Sequence, residues 1–206
     1  MRIAMISGGK DSIYAALLYG DIDLGVIFVY EFPRPSPHLL NIGKSIETLL
    51  LMGIPSIVIK LNKGREKIET IEALKKLGAK VIVAGDVYID DHLRYMQSIA
   101  DEIGAKLIEP LWSLDPVEVL YKEMEYGITT LFIGGISSLS SWIGKELSID
   151  NVDDFIGYAK SIGIDPLGER GEYHTLVIYT PRHIQRLRYE IVRVDVFNDY
   201  LIARVI

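Results

Sequence analysis

The stretch Ser7-Gly8-Gly9-Lys10-Asp11-Ser12 lies between a short apolar run, Ile3-Ala4-Met5-Ile6, and a segment in which Ile13, Ala16, Leu17 and Gly20 fall at helical spacing. Strand, glycine turn and helix start commit the chain to a strand–loop–helix unit, which aims backbone N–H groups at an anion. Gly8 and Gly9 can take positive φ and let the backbone approach a phosphate closely. Lys10 adds a positive charge, and Ser7 and Ser12 add hydroxyl donors. A turn that needed only glycines and a cap would account for Gly8, Gly9 and Ser12, but not for Lys10 beside Asp11. Phosphate binding is the expectation for this loop. It is not the common P-loop, since Ala4 stands where the first glycine should be and Asp11 where the hydroxyl should be.

Downstream, the pattern alternates. Residues 24–30 form a continuous apolar run, as expected of a strand covered on both faces. Residues 57–59 and 81–84 read as further strands, and Leu39 to Leu50, Ile68 to Leu77 and 90–103 as helices. Three prolines between 33 and 37 argue against helix there. After a short strand at 105–109, Asp115-Pro116 reads as an N-cap followed by proline at the first helical position. This rhythm predicts an α/β domain with a doubly wound parallel sheet over residues 1–135, with Leu131-Phe132-Ile133 as a further strand of it. Ligands of such sheets bind at the carboxyl ends of the strands, which collects Ser7–Ser12, the loop after Tyr30 and Gly85-Asp86 on one edge.

Residues 136–206 change character and predict a smaller α+β region. Asn151 is placed to cap a helix ending at Gly163, and 168–175 runs into a strand at 176–179. Residues 189–206 alternate around Asn198-Asp199, the pattern of an antiparallel hairpin.

A chain of 206 residues with 49% hydrophobic and 24% charged residues is ordinary for a globular protein. No run approaches the roughly 20 apolar residues of a membrane span, and the chain enters a strand at once rather than a signal peptide, so a cytoplasmic location is expected. The absence of cysteine excludes disulfides, thiolate metal sites and a cysteine nucleophile. A net charge of −6 gives no general attraction to nucleic acid.

Ser7–Ser12 resembles the PP-loop (SGGxDS) of ATP pyrophosphatases, which split ATP into AMP and pyrophosphate while adenylating a substrate. Gly85-Asp86, Pro110-Leu111-Trp112, Ser141-Trp142-Ile143-Gly144 and Gly168-Glu169-Arg170-Gly171-Glu172-Tyr173-His174-Thr175 follow in order. Together they resemble the diphthine–ammonia ligase family of that superfamily, in its short archaeal form, over about residues 1–183. The resemblance implies ATP-dependent amidation of diphthine on translation elongation factor 2, with ammonia as the nitrogen donor. It also implies Mg2+ with the triphosphate. One segment departs from the family pattern: where Tyr-Gln-Arg would follow Gly85-Asp86, this chain has Asp91-His92-Leu93, with Arg94 one place late. This departure keeps open a ligase for a small-molecule carboxylate, and a nucleotide-binding sensor without chemistry is a separate alternative.

On this reading Ser7, Gly8, Gly9, Lys10, Asp11 and Ser12 hold the phosphates, with Lys10 also catalytic. Asp11 either holds magnesium through water or favours the positive helix end. Gly85 and Asp86 either contact metal or ribose or form a turn. Glu169 and Glu172, between glycines, are candidates for binding ammonium and taking its proton. His38 is expected to be an exposed loop histidine, Trp142 to pack the smaller region against the sheet, and His174 has no assigned role.

Overall fold

A computed structural model gives the fold, and the structure describes residues 1–31 and 35–206. The first part of the chain alternates as its apolar pattern requires. β1 (Arg2–Met5), α1 (Lys10–Tyr19), β2 (Leu24–Val29), α2 (Pro37–Leu40), α3 (Ile42–Leu51) and β3 (Ser56–Lys60) come first. α4 (Glu66–Lys76), β4 (Val81–Val83), α5 (Asp90–Ile103) and β5 (Lys106–Ile108) follow. The five strands form one parallel sheet in the order β3-β2-β1-β4-β5, flanked by helices. Its core is built from Ile3, Val26 and Ile82 on the strands with Leu74, Ile99 and Ala100 from α4 and α5. α5 ends as the glycine at 104 requires, in a left-handed C-cap with φ 67°.

The order of this sheet reverses between β1 and β4, which are direct neighbours. In open α/β sheets ligands bind outside the carboxyl ends of the strands at such a reversal. The segments leaving β1 and β4 there are the phosphate-loop candidate and Ala84-Gly85-Asp86.

The second sheet is antiparallel. It contains β6 (Thr129–Ile136), β7 (Glu146–Leu147), β9 (Ile191–Phe197) and β10 (Tyr200–Val205) in the order β7-β6-β10-β9, and β8 (Tyr173–Tyr179) also pairs with β6. α6 (Pro116–Glu125) and α7 (Val152–Ser161) complete this part. Asp115 caps α6 as anticipated, its Oδ1 accepting from the backbone N–H of Val117 and Glu118. The hairpin of β9 and β10 turns at Asn198, whose φ of 55° suits a two-residue turn.

By contacts the chain separates into two compact units. One comprises Met1–Ser7, Asp11–Pro33 and Ile54–Ser113, and the other Gly8–Lys10, Arg34–Gly53 and Leu114–Ile206. The second has its own core of Leu51, Leu131, Ile133, Leu176, Ile178 and Leu187.

Several expectations are corrected here. Leu131-Phe132-Ile133 belongs to the antiparallel sheet, not to the parallel one. β6 is buried along nearly its whole length because both of its faces are covered. Leu131 and Ile133 pack with Leu51 and Leu187, and Phe132 packs with Trp142 and Phe155, so its uninterrupted apolar run imitates a parallel-sheet strand. The prolines do not keep helix away throughout: α2 starts at Pro37, in the first helical position, with Ser36 Oγ accepting from Leu39 N–H. The rest of that proline expectation, at 32–34, lies outside the described residues. The helix foreseen from Leu39 to Leu50 is broken at Asn41, whose side chain donates to Ala203 O and accepts from Val205 N–H on β10. Asn151 precedes α7 but does not cap it, since its Oδ1 accepts from Ser148 N–H and its amide donates to Glu146 O. Trp142 packs among Phe132, Phe155 and Tyr158 of its own unit.

Candidate active site

In the first unit, Ser7 and Ser12 close on each other, with Ser7 N–H donating to Ser12 Oγ at 3.3 Å and the two hydroxyls 3.3 Å apart. Gly85 packs against the same turn. A Cβ there would lie 2.7 Å from the carbonyl oxygen of Asp11, so this position requires glycine for close approach of the backbones. Asp86 has its N–H bonded to Glu109 Oε2 at 3.1 Å, and its carboxylate lies 3.1 Å from His92 Nδ1. His92 lies in the run Asp91-His92-Leu93 that departs from the family pattern, and from the first turn of α5 it meets the Asp86 carboxylate.

In the second unit, Gly8, Gly9 and Lys10 are buried. Gly8 has φ 93°, and a Cβ on it would sit 2.3 Å from Ser45 Oγ of α3. Its carbonyl accepts from Val177 N–H at 2.9 Å, and Lys10 N–H donates to Thr175 Oγ1 at 3.2 Å. β8 thus holds the loop by its backbone. The Lys10 side chain is only 1% exposed. Its Nζ donates to Leu167 O at 2.9 Å, lies 3.7 Å from Glu123 Oε2 and stands over the Tyr173 ring at 5.5 Å. A buried ammonium needs a carboxylate or carbonyl close by to offset its lost hydration, and both are present.

The segment that carries Glu169 and Glu172 is a compact turn built on Asp165. Asp165 accepts from the N–H groups of Leu167, Gly168 and Glu169, and Tyr173 Oη donates to Pro166 O at 2.6 Å. Gly168, at φ 79°, leaves room for the Tyr173 ring, which would lie 2.6 Å from a Cβ. Glu172 accepts from Arg170 N–H through Oε2 and from Ile136 N–H through its backbone carbonyl. The Lys10–Leu167 bond therefore ties Lys10 to the glutamate-bearing turn.

His38 is not the exposed loop residue foreseen. It lies in α2 with its ring 5.1 Å from that of His174, at 74°. Among the described residues no group hydrogen-bonds its buried Nδ1. Burial, and then the neighbouring His174, hold its pKa down to about 3.

Glu123, Asp165 and Ser45 escape a reading of motifs. Glu123 sits on the inward face of an amphipathic helix where an apolar residue is the rule, and a charged residue at such a position was its one available signal. Among the described residues no three or more His, Asp or Glu side chains gather as a metal cage, and no helix is long and apolar enough to cross a membrane.

Two family models match the chain: the diphthamide synthase N-terminal domain over residues 1–107 and the diphthamide synthase C-terminal domain over residues 115–203. A search of curated proteins found no match. Among solved structures, a chain described as a predicted subunit of tRNA methyltransferase from Methanocaldococcus jannaschii is 19% identical, with a TM-score of 0.46. The likeness covers 89% of this chain and 98% of that one, and at this TM-score carries no argument.

Proposed function

The chain belongs to the diphthamide synthase family of PP-loop, ATP-utilising ligases that form a C–N bond, and on that premise we propose that it converts diphthine on translation elongation factor 2 to diphthamide. In this reading a carboxylate oxygen of diphthine attacks the α-phosphorus of ATP, and the bond to the leaving pyrophosphate breaks. Ammonia then attacks the acyl carbon of the resulting adenylate, AMP departs, and one proton from the nitrogen passes to a carboxylate.

The residues fit those demands. The Gly8 position, where a Cβ would collide with Ser45, and Lys10, whose ammonium is held by Leu167 O and Glu123, are assigned to a loop that closes on phosphate oxygens. Ser7, Gly9 and Ser12 complete it, with Gly85 and Asp86 at the carboxyl edge of the parallel sheet. Mg2+ uses one or two carboxylates besides phosphate oxygens and water, so Asp11 is sufficient as its protein ligand. When bound, the ion would offset charge on the phosphates. Glu169 and Glu172 are assigned to the second half-reaction, because carboxylates repel the triphosphate but can hold ammonium and accept its proton.

The observation that carries this reading is the Lys10–Leu167 bond, which puts the phosphate-loop ammonium two residues from Glu169 in one compact unit. The test is product analysis with purified diphthine-bearing elongation factor 2, ATP and ammonium. AMP, pyrophosphate and a protein product with carboxylate replaced by amide are expected. ADP and phosphate would overturn the mechanism. AMP formation with a small carboxylic acid but not with the elongation factor would move the acceptor, and the Asp86–His92 contact is where such a difference would be sought.

A further inference from the structure

β9 ends the antiparallel sheet, and among the described residues only β10 pairs with it. Its sequence is Ile191-Val192-Arg193-Val194-Asp195-Val196-Phe197. Val192, Val194 and Val196 share one face and are 48%, 45% and 66% exposed. Unpaired edges are ordinarily blunted by proline, by a short length or by charge on the exposed face. This one is seven residues long, without proline, and apolar on that face.

The hairpin register determines which backbone groups point outward. Phe197 opposes Tyr200 across the two-residue turn, so this pair exchanges both of its hydrogen bonds. Alternation makes Asp195 with Ile202, and Arg193 with Arg204, hydrogen-bonded pairs as well. The N–H and C=O groups of Val192, Val194 and Val196 therefore face away from β10.

We propose that β9 pairs antiparallel with β9 of a second copy of this chain, about a two-fold axis at Val194, to give a homodimer with a continuous sheet. The strand is self-complementary about that residue. Val194 meets Val194, Val192 meets Val196 of the other copy, and Arg193 meets Asp195 of the other copy. The opposed valines are the residues whose backbone groups face outward, so each opposed pair can exchange both hydrogen bonds. The charges also suit the pairing. Within one chain Asp195 already holds Arg193 at 2.9 Å and Arg204 at 2.6 Å, and the juxtaposition joins two such groups with opposite charges opposed. A shift of one residue along the strand would place valines against charged side chains and lose this match. Two strands of this length bury less than the roughly 1,200 Å² of a standard stable interface, so a micromolar, concentration-dependent association is expected.

The test is sedimentation velocity of the full chain from nanomolar to high-micromolar concentration, for the wild type, Val194→Pro and Val194→Lys. The wild type should pass from one to two chain masses. Val194→Pro should stay monomeric with an unchanged melting temperature, because the N–H it removes faces away from β10 and, among the described residues, the hairpin register gives it no strand partner. Should that variant fail to fold, Val194→Lys decides: it sets two ammonium groups face to face and should be monomeric at low salt, with partial recovery at high salt. A wild type monomeric throughout the range overturns the proposal, including the case in which the strand takes a foreign strand instead. A dimer that either folded variant leaves intact also overturns it.

Discussion

Replacing Gly8 by alanine tests whether the phosphate loop is held by geometry that only glycine allows. Two costs add. At φ 93° an L-residue is in the left-handed half of conformational space, which costs about 1–2 kcal/mol. The new Cβ would also lie 2.3 Å from Ser45 Oγ and 2.7 Å from Ser45 Cβ, a collision with a residue of α3 that is fully buried, and overpacking of this kind costs about 1–3 kcal/mol. The sum is about 2–5 kcal/mol, which for a chain of this size lowers the melting temperature by roughly 5–15 °C. The assay is calorimetric unfolding of Gly8→Ala, of Ser45→Gly and of the double variant. Ser45→Gly alone costs about 1 kcal/mol for glycine within a helix. It removes the collision but not the φ strain, so the double variant should recover the packing share and leave the backbone share. A Gly8→Ala variant that melts with the wild type, or strictly additive effects, would refute the account of this glycine.

Glu123→Gln should destabilise the protein by about 3–5 kcal/mol in urea unfolding, since it strips a buried ammonium of its carboxylate, and by much less in a Lys10→Met background. Lys10→Ala should lower pyrophosphate release at saturating ATP by roughly a hundredfold, the usual effect of losing one preorganised donor, as a stopped assay will show. Glu169→Gln with Glu172→Gln should leave ATP binding intact by calorimetry while amide formation, followed by mass spectrometry, falls steeply. Acid should destabilise the fold through His38. Its folded pKa of about 3 lies below the unfolded 6.5, so the unfolded chain takes up the proton first and stability falls as pH drops from 6.5 toward 3. By pH 5 the loss relative to pH 7 is about 2 kcal/mol, and His38→Gln should flatten that part of the urea-midpoint profile.

The parallel sheet was legible because its determinants are local. Apolar runs of strand length, helices closed by Gly78 and Gly104, and the Asp115-Pro116 start each carry their signal within a few residues. The strand, glycine turn and helix start around Ser7–Ser12 were legible for the same reason. What the sequence withheld is long-range. Nothing near Asn41 says that its amide will bond β10, more than 160 residues away, and so divide a helix whose apolar spacing is unbroken. Nothing near Phe132 says that its strand will join an antiparallel sheet, because burial of both its faces erases the alternation that would mark it.

The Lys10 environment shows the same division inside the candidate site. The motif announces a lysine and leaves open where its charge rests, because the partners, Glu123 of α6 and the carbonyl of Leu167, lie outside the quoted motifs. Glu123 and Leu167 O hold the ammonium in a buried place, while the hydrogen bond from Lys10 N–H to Thr175 fixes the backbone from which it projects. A lysine tethered this way has already lost its side-chain freedom, so in the proposed reaction its charge would act on a departing phosphate without the ordering cost a free side chain would incur. The turn that carries Glu169 and Glu172 is ordered by the same contact. Loss of the Lys10 charge should therefore disturb the turn as well as the loop, and Lys10→Ala is expected to raise amide exchange at Glu169–Glu172 even without nucleotide.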